Sequence, residues 1–483
     1  MPLTSNELGP ILHRTREAQQ QWAARPLNER LEPVRKLRAR LAAEPTILAE
    51  VIAREIGKTR YEAIGAEVMP VAECCRFLIQ RAPRLLAPKR EGLRGTIPFS
   101  GRALVRRVPW GIVASISPWN YPLFLCAAPA LNALVAGNAV AMKPSPRAPE
   151  TVRAFAQWLK DAGFPPDLVP VLDPSNDTGK ALASSPLIDK IVFTGSSKTG
   201  RDVLRSAGEN LVPATLELSG FDAVYILRDA NLPLAVAAVA FGLRLNAGRS
   251  CICPRCAFVE EPVADEFIRL LTARLNSHRL LAPMDRQTLE EADALATSFA
   301  SMNGVQFLND RQRGDKDKAL AVLGGPDVLA AAQGNFVPAI VVTKVKDMEE
   351  ALRLESSLSY ALGASIFTTD TNAAVKLAGR LRSGSIAINE CVAHGGDAAI
   401  PFGGSRESGY GVRGGEDGLL EMTRPQTLAI ARGTFRPHHD AETEAEEFLR
   451  ALLRARHSGS LAARLKSWLD YAVEGVKWRP PAR

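Results

Sequence analysis

From Gly111 onward the chain alternates short apolar runs with amphipathic helical patterns, and this alternation limits the fold more than any other feature. Residues 111–116, 139–142, 169–172, 190–193 and 214–218 read as strands, with helical periodicity over 150–162 and 199–206 between them. Short strands separated by helices imply βαβ units and a parallel sheet covered on both faces. A second alternation follows Gly220, with strands predicted at 223–226, 257–259, 364–367 and 385–389 and helices at 234–245, 263–277 and 373–380. The expected fold class is α/β: a doubly wound first domain and a second α/β domain. Ahead of both, residues 8–87 repeat apolar positions every three or four residues, as in Leu48, Val51, Ile52 and Ile56, which predicts a helical layer.

With 46 % hydrophobic and 23 % charged residues the chain is neither disordered nor fibrous, and 483 residues allow several domains. Seven cysteines, an odd number that includes the adjacent Cys74 and Cys75, do not form a disulfide framework; reduced thiols and a cytoplasmic setting are expected. Residues 1–22 lack the apolar core of a secretory signal. The uncharged stretch 108–142 is broken by Pro118, Pro122, Pro129 and Gly137 and reads as buried strand and helix, not as a membrane span. The net charge of +8 is uneven: +9 over residues 1–107, −3 over 108–432, −4 over 433–447 and +6 over 448–483. The slightly acidic core argues against nucleic acid as a partner.

Five short strings can carry chemistry. Asn246-Ala-Gly-Arg-Ser-Cys251 is a small polar turn that can expose a thiol, with Arg249 as a cation to favour the thiolate. The alternative, a small buried hydrophobe, suits Cys74, Cys75, Cys126 and Cys391 better. Cys251, Cys253 and Cys256 are spaced closely enough for a metal, but a closed site wants a fourth ligand and none lies nearby, so no metal is expected. Glu217, ending an apolar strand, is either a general base or a carboxylate tied to local amides. Gly195, Ser196 and Gly200 lie where a strand passes into a helix, as a phosphate cradle or an ordinary turn. Ser117-Pro-Trp119-Asn120-Tyr-Pro122 holds an asparagine amide between two prolines, as an oxyanion donor or a local backbone partner, and Lys143 follows a buried strand.

Taken in order, these strings resemble the aldehyde dehydrogenase superfamily over residues 8–430, including the 34-residue separation of Glu217 from Cys251 and the later run 401–411. The resemblance implies NAD(P)-dependent, non-CoA-acylating oxidation of an aldehyde. Cys251 would be the nucleophile, Asn120 the oxyanion donor and Glu217 the base that activates water. Ser117, Trp119, Lys143, Ser145, Gly195, Ser196 and Gly200 would contact NAD or NADP; Pro146, where an acidic residue often disfavours NADP, repels neither. It also implies an NAD(P)-binding domain over 1–92 and 108–218, a catalytic domain over 219–411, a bridging β element over 93–107 and 412–432, and a homodimer or homotetramer. Two departures stand out. The family's Glu-x-Phe-Gly-Pro motif, which holds the nicotinamide ribose, is missing where 336–347 runs directly into the next helix, and Arg249 replaces a glutamine. A catalytically weak relative kept as an interaction or scaffold protein is the alternative.

Residues 433–483 lie beyond the resemblance. Two apolar stripes at helical spacing, Phe448 to Leu453 and Leu461 to Val476, are set among Arg450, Arg454, Arg456, Arg464 and Lys466. This basic amphipathic tail suits a membrane surface or a partner groove, and equally helices packed on their own subunit.

Overall fold

A computed structural model describes residues 5–92, 101–431 and 446–477. They fall into two compact units, Met1–Leu86 with Val108–Arg424, and Ala87–Arg107 with Pro425–Arg483.

The first unit holds the mixed α/β architecture. Its first sheet comprises β3 (Ile112–Ile116), β4 (Ala139–Lys143), β5 (Lys190–Thr194), β6 (Ala214–Glu217) and β16 (Gly409–Tyr410), in the order β16-β6-β5-β3-β4. All pairs are parallel except β16 with β6. β3 and β4 are buried at every position, as expected of strands covered on both faces. From β3 the chain steps outward to β4 and then crosses to the other side for β5. This reversal opens a crevice at the carboxyl ends of β3 and β5, where such sheets bind ligands. The strand predicted at 169–172 is reduced to a single bridge from Val171 to Met142, since Pro170 has no N–H to give a ladder.

The second sheet has seven strands. They are β7 (Asp222–Ile226), β8 (Pro254–Glu260), β9 (Gln306–Phe307), β10 (Leu320–Leu323), β11 (Ala339–Val345), β13 (Gly363–Phe367) and β14 (Ser385–Ile388), ordered β14-β13-β7-β8-β11-β10-β9. Only β9 runs antiparallel. Sequence periodicity does not predict β9, β10 or the helix Arg286–Ala300, because β10 is four residues long and preceded by the charged run Asp315 to Lys318. β12 (Tyr360–Ala361) and β15 (Ser405–Arg406) form a small separate pair.

The predicted helical layer is present as Ser5–Ala23, Leu27–Ala43, Pro45–Ile56, Arg60–Ala63 and Met69–Leu85. It packs on Phe124–Ala136, a helix buried at every position. Trp22 anchors the layer, its indole N–H donating to the Leu134 carbonyl at 2.8 Å.

In the second unit β1 (Lys89–Gly92), β2 (Gly101–Pro109) and β17 (Thr423–Ala431) form one sheet in that order, with two further helices at Glu446–His457 and Leu461–Lys477. Residues 412–424, grouped by sequence with the bridging element, belong to the first unit. The parts of the bridging element and tail at 93–100, 432–445 and 478–483 lie outside the described residues. Among those described, no helix is long and apolar enough to cross a membrane.

Candidate active site

The helix Leu232–Arg244 delivers the chain into Asn246, Ala247 and Gly248, which take φ of 49°, 51° and 68°. Left-handed backbone suits glycine and costs other residues about 1–3 kcal/mol, so the neighbours must hold it. The Asn246 N–H donates to Glu62 at 2.6 Å, and its side-chain amide donates to the carbonyls of Asn120 at 2.8 Å and Arg249 at 3.1 Å. Arg249 is fully buried and clasps the turn, donating to the Asn246 backbone carbonyl at 2.9 Å, to its side-chain oxygen at 3.1 Å and to Asp285 at 2.8 Å. Arg249 therefore does not serve as the cation for the thiolate.

Cys251 leaves this turn half-buried on a cavity of about 390 Å³, whose walls include Tyr121, Phe124, Leu245, Ile252, Phe402 and Arg413. Burial pushes its thiol up to about 12; the Arg413 guanidinium opposes this most, while Asp222 and Glu217 add to it. At neutral pH the resting group is a thiol.

Glu217 closes β6, and both its carboxylate oxygens accept from Arg413 Nε at 3.0 Å. Burial pushes this carboxyl upward and Arg413 draws it back down. Arg413 itself lines the cavity, stacked 4.6 Å from the Phe124 ring and 4.8 Å from that of Phe402, so the buried Glu217 faces the cavity through this arginine. Sequence reasoning misses Arg413, since its link to Glu217 spans 196 residues and no local pattern marks it. Asn120 is buried beside the nucleophile turn, with its amide donating to the Arg249 carbonyl at 3.1 Å and a second N–H left for another acceptor.

A fully buried ion pair braces the Asn120 loop. Lys58 donates to Glu67 at 2.7 Å and lies 3.6 Å over the Tyr121 ring; Glu67 in turn accepts the N–H groups of Leu123 at 2.7 Å and Phe124 at 3.3 Å. Glu67 thus caps the start of Phe124–Ala136, where the helix dipole favours an anion. Its position comes from a π-helical turn at Ile64–Val68, which keeps Glu62 and Glu67 both directed inward. Local sequence marks neither charge as other than an ordinary helix-surface residue.

The residues expected to bind cofactor collect at the sheet reversal. Ser117 follows β3, Lys143 ends β4, Gly195 and Ser196 follow β5, and Gly200 lies in the first turn of Ser197–Glu209. Ser196 caps that helix by accepting the Thr199 N–H at 3.2 Å. A Cβ at Gly195 would come 2.5 Å from the Phe193 ring, and one at Gly200 2.5 Å from Leu218, so neither position admits a side chain without a shift of its neighbour. Lys143 is buried without a hydrogen bond or ion pair among the described residues; burial lowers its ammonium to about 8, with Asp173 as the nearby opposing charge. An unpaired ammonium at the end of β4 and a helix N-terminus entered through Gly195 after β5 fit the ribose and phosphates of a dinucleotide.

Trp119 and Ser145 are placed differently from the others. Arg147 lies 3.3 Å over the Trp119 ring and Arg249 5.4 Å from it, and both arginines bind Asp285, at 2.6 and 2.8 Å. Ser145 accepts the Arg147 N–H at 3.2 Å, and Phe336 meets Trp119 edge-on at 6.4 Å. Both are thus bound into an Arg–Asp cluster. β11 ends at Val345 and the next helix starts at Met348, so only two residues lie between them.

Affinity for NAD(P) should weaken as pH rises through about 8, because Lys143 then loses the positive charge that attracts the phosphates and strengthens its hydrogen bonds. Fluorescence titration at pH 7 and pH 9 should show the loss in wild type and little pH dependence in Lys143→Met.

The three clustered cysteines do not converge. Cys253 Sγ faces the Pro254 carbonyl and Cys256 Sγ the Asp222 carbonyl, each at 3.9 Å. Among the described residues no group of three or more His, Cys, Asp or Glu side chains could hold a metal ion.

Comparison with known proteins shows the family and the fold. The family model described as "Aldehyde dehydrogenase family" matches residues 3–428. A Mycolicibacterium smegmatis protein, provisionally named an NADP(+)-linked succinate-semialdehyde dehydrogenase, is 31 % identical over 452 residues, 89 % of this chain and 85 % of its own. The 4,4'-diapolycopene aldehyde oxidase of Methylomonas sp is 32 % identical over 430 residues, 86 % of this chain and 80 % of its own. Among solved structures, the NADP-dependent glyceraldehyde-3-phosphate dehydrogenase of Bacillus halodurans C-125, complexed with NADP, is 29 % identical, with a TM-score of 0.84 over 89 % of this chain and 92 % of that one. A Mycobacterium tuberculosis aldehyde dehydrogenase complexed with NAD+ is 25 % identical, with a TM-score of 0.83 over 90 % and 92 %.

Proposed function

Since the chain belongs to the aldehyde dehydrogenase family, we propose that it oxidises an apolar aldehyde to its carboxylic acid, with NAD or NADP as acceptor, through a thioester on Cys251. The observation that carries this reading is that Cys251 and Arg413 line one cavity, with Glu217 bound behind Arg413 and the Asn120 amide beside the nucleophile turn.

The thiol of Cys251 gives its proton to solvent water and the thiolate adds to the aldehyde carbon, forming a thiohemiacetal whose oxyanion takes the second Asn120 N–H and the Cys251 backbone N–H. Lys143 and the turn at Gly195 to Gly200 would hold NAD(P), which when bound would supply the hydride acceptor. Loss of hydride leaves a thioester. Glu217 then takes a proton from water, which attacks the acyl carbon, releases the acid and restores the thiol. The Arg147–Asp285 cluster around Trp119 takes the place of the missing ribose clamp in ordering that side of the crevice. Family membership, with Cys251, Glu217 and Asn120 retained, weighs against a scaffold role.

Substrate class follows from the wall charges. Glu62 and Arg413 are the charged residues lining the cavity, and both are already bound, Glu62 to Asn246 and Arg413 to Glu217. Among the described residues no further cation lines the cavity to meet a distal carboxylate, so the walls favour an apolar chain over succinate semialdehyde. With linear alkanals kcat/KM should rise about fourfold per methylene until the cavity is filled, from about 0.8 kcal/mol per buried CH₂. Steady-state kinetics with propanal, hexanal, decanal and succinate semialdehyde, using NAD and NADP, test this. Preference for the semialdehyde, or no turnover with either cofactor, would contradict it.

Assembly as a homodimer or homotetramer is part of this reading, supported by β17, a sheet edge with Leu428 and Ile430 exposed. A cytoplasmic setting is supported by all seven cysteines being free. The C-terminal helices add a peripheral contact, with a membrane surface or a partner protein.

A further inference from the structure

The two C-terminal helices pack against each other unequally. Glu446–His457 buries Phe448, Ala451, Leu452 and Ala455, one continuous apolar stripe. The Phe448 ring lies 4.7 Å from that of Tyr471, which Trp468 meets edge-on at 5.5 Å. In Leu461–Lys477 the residues withdrawn from solvent, among those whose side chains are described, are Ala463, Ser467 and Tyr471, a face of small and polar groups. The helix's own apolar stripe faces outward instead, with Leu461 73 %, Leu465 61 % and Leu469 70 % exposed and Trp468 and Val473 beside them.

Charge is arranged around that stripe. At about 100° per residue, Arg464 and Lys466 lie one step to either side of Leu465, while Asp470 is about 140° away on the far side. Arg464 Nε donates to the Ser458 carbonyl at 2.5 Å, which holds its guanidinium at the turn between the helices. Residues 448–483 carry +6 in all. An apolar face with an aromatic ring, flanked by cations on both edges and acidic behind, matches a helix lying in the interfacial plane of an anionic bilayer. A second copy of the stripe fits poorly, since face-to-face pairing would bring the flanking cations Arg464 and Lys466 of the two copies together.

We propose that Leu461–Lys477 docks the enzyme on an anionic phospholipid surface, with Leu465 and Leu469 entering the acyl boundary and Arg464 and Lys466 binding headgroup phosphates. This inference stands apart from the catalytic reading, as the helix lies beyond the family match at residues 3–428.

Full-length enzyme should cosediment with vesicles of phosphatidylcholine and phosphatidylglycerol in equal parts, much less with phosphatidylcholine alone, and less in high salt. Replacing both Arg464 and Lys466 by Glu should weaken partitioning by at least about tenfold, at about 1 kcal/mol per basic residue. Leu465→Asp with Leu469→Asp should abolish it while aldehyde turnover and far-UV circular dichroism stay unchanged. Absence of binding to the anionic vesicles, or binding that survives both double variants, would overturn the proposal. So would a drop in oligomer mass by light scattering in the Leu465/Leu469 variant without vesicle binding by the wild type, which would assign the stripe to a second copy.

Discussion

A Glu217→Gln enzyme should reduce one equivalent of cofactor quickly and then almost stop. In the proposed sequence the cysteine attack and hydride loss precede any need for Glu217, so the first turnover reaches the thioester. Hydrolysis then lacks its base, and general-base catalysis typically contributes 10²–10⁴-fold, so steady-state turnover should fall by about that factor. Glutamine keeps the size of the side chain and an oxygen for Arg413, which separates loss of the base from loss of packing. Stopped-flow absorbance should show a burst close to the enzyme concentration followed by a slow phase. Equal slowing of both phases would place Glu217 in the first half of the reaction.

Arg413→Met should show the next largest effect. Arg413 is the main influence opposing the upward shift of Cys251, and it opposes that of Glu217 in the same way. Without it burial acts unopposed on Glu217, and on Cys251 burial acts together with Asp222 and Glu217. The sign is the same for the two groups: a higher pKa means less thiolate and less carboxylate at pH 7. Alkylation of Cys251 by iodoacetamide in the free enzyme should slow by about tenfold or more, and the acid limb of the deacylation profile should move to higher pH, so that raising the pH restores the rate. Arg413→Lys should recover part of the alkylation rate through its charge but not the two-oxygen contact with Glu217. A purely structural arginine would lower stability and leave the pH profile where it was; such a result would remove Arg413 from the mechanism.

The parts of this site that sequence could reveal are those set by local chain geometry. Cys251 lies in a small-residue turn after a helix, Glu217 and Lys143 end buried strands, and Gly195 to Gly200 mark a strand-to-helix turn; each position follows from the alternation that also predicts the α/β fold. What escaped depends on contacts between distant segments. Arg413 reaches Glu217 only because β16 pairs with β6, and Glu67 caps a helix that begins 57 residues later. Arg249, the cation expected beside the thiolate, instead spends its donors on the left-handed turn and on Asp285. Likewise the tail's periodicity predicts two helices, yet which face of Leu461–Lys477 stays outward depends on its packing through Ser467 and Tyr471.

The expectations for turnover and deacylation depend on an acyl group being carried by Cys251. The most direct measurement is peptide mass spectrometry of the Glu217→Gln enzyme, quenched in acid after mixing with decanal and the preferred cofactor. The peptide containing Cys251 should gain the mass of the decanoyl group, only when aldehyde and oxidised cofactor are both present, and Cys251→Ala should gain none. An unmodified Cys251 during the burst, or reduced cofactor still formed by Cys251→Ala, would contradict the account.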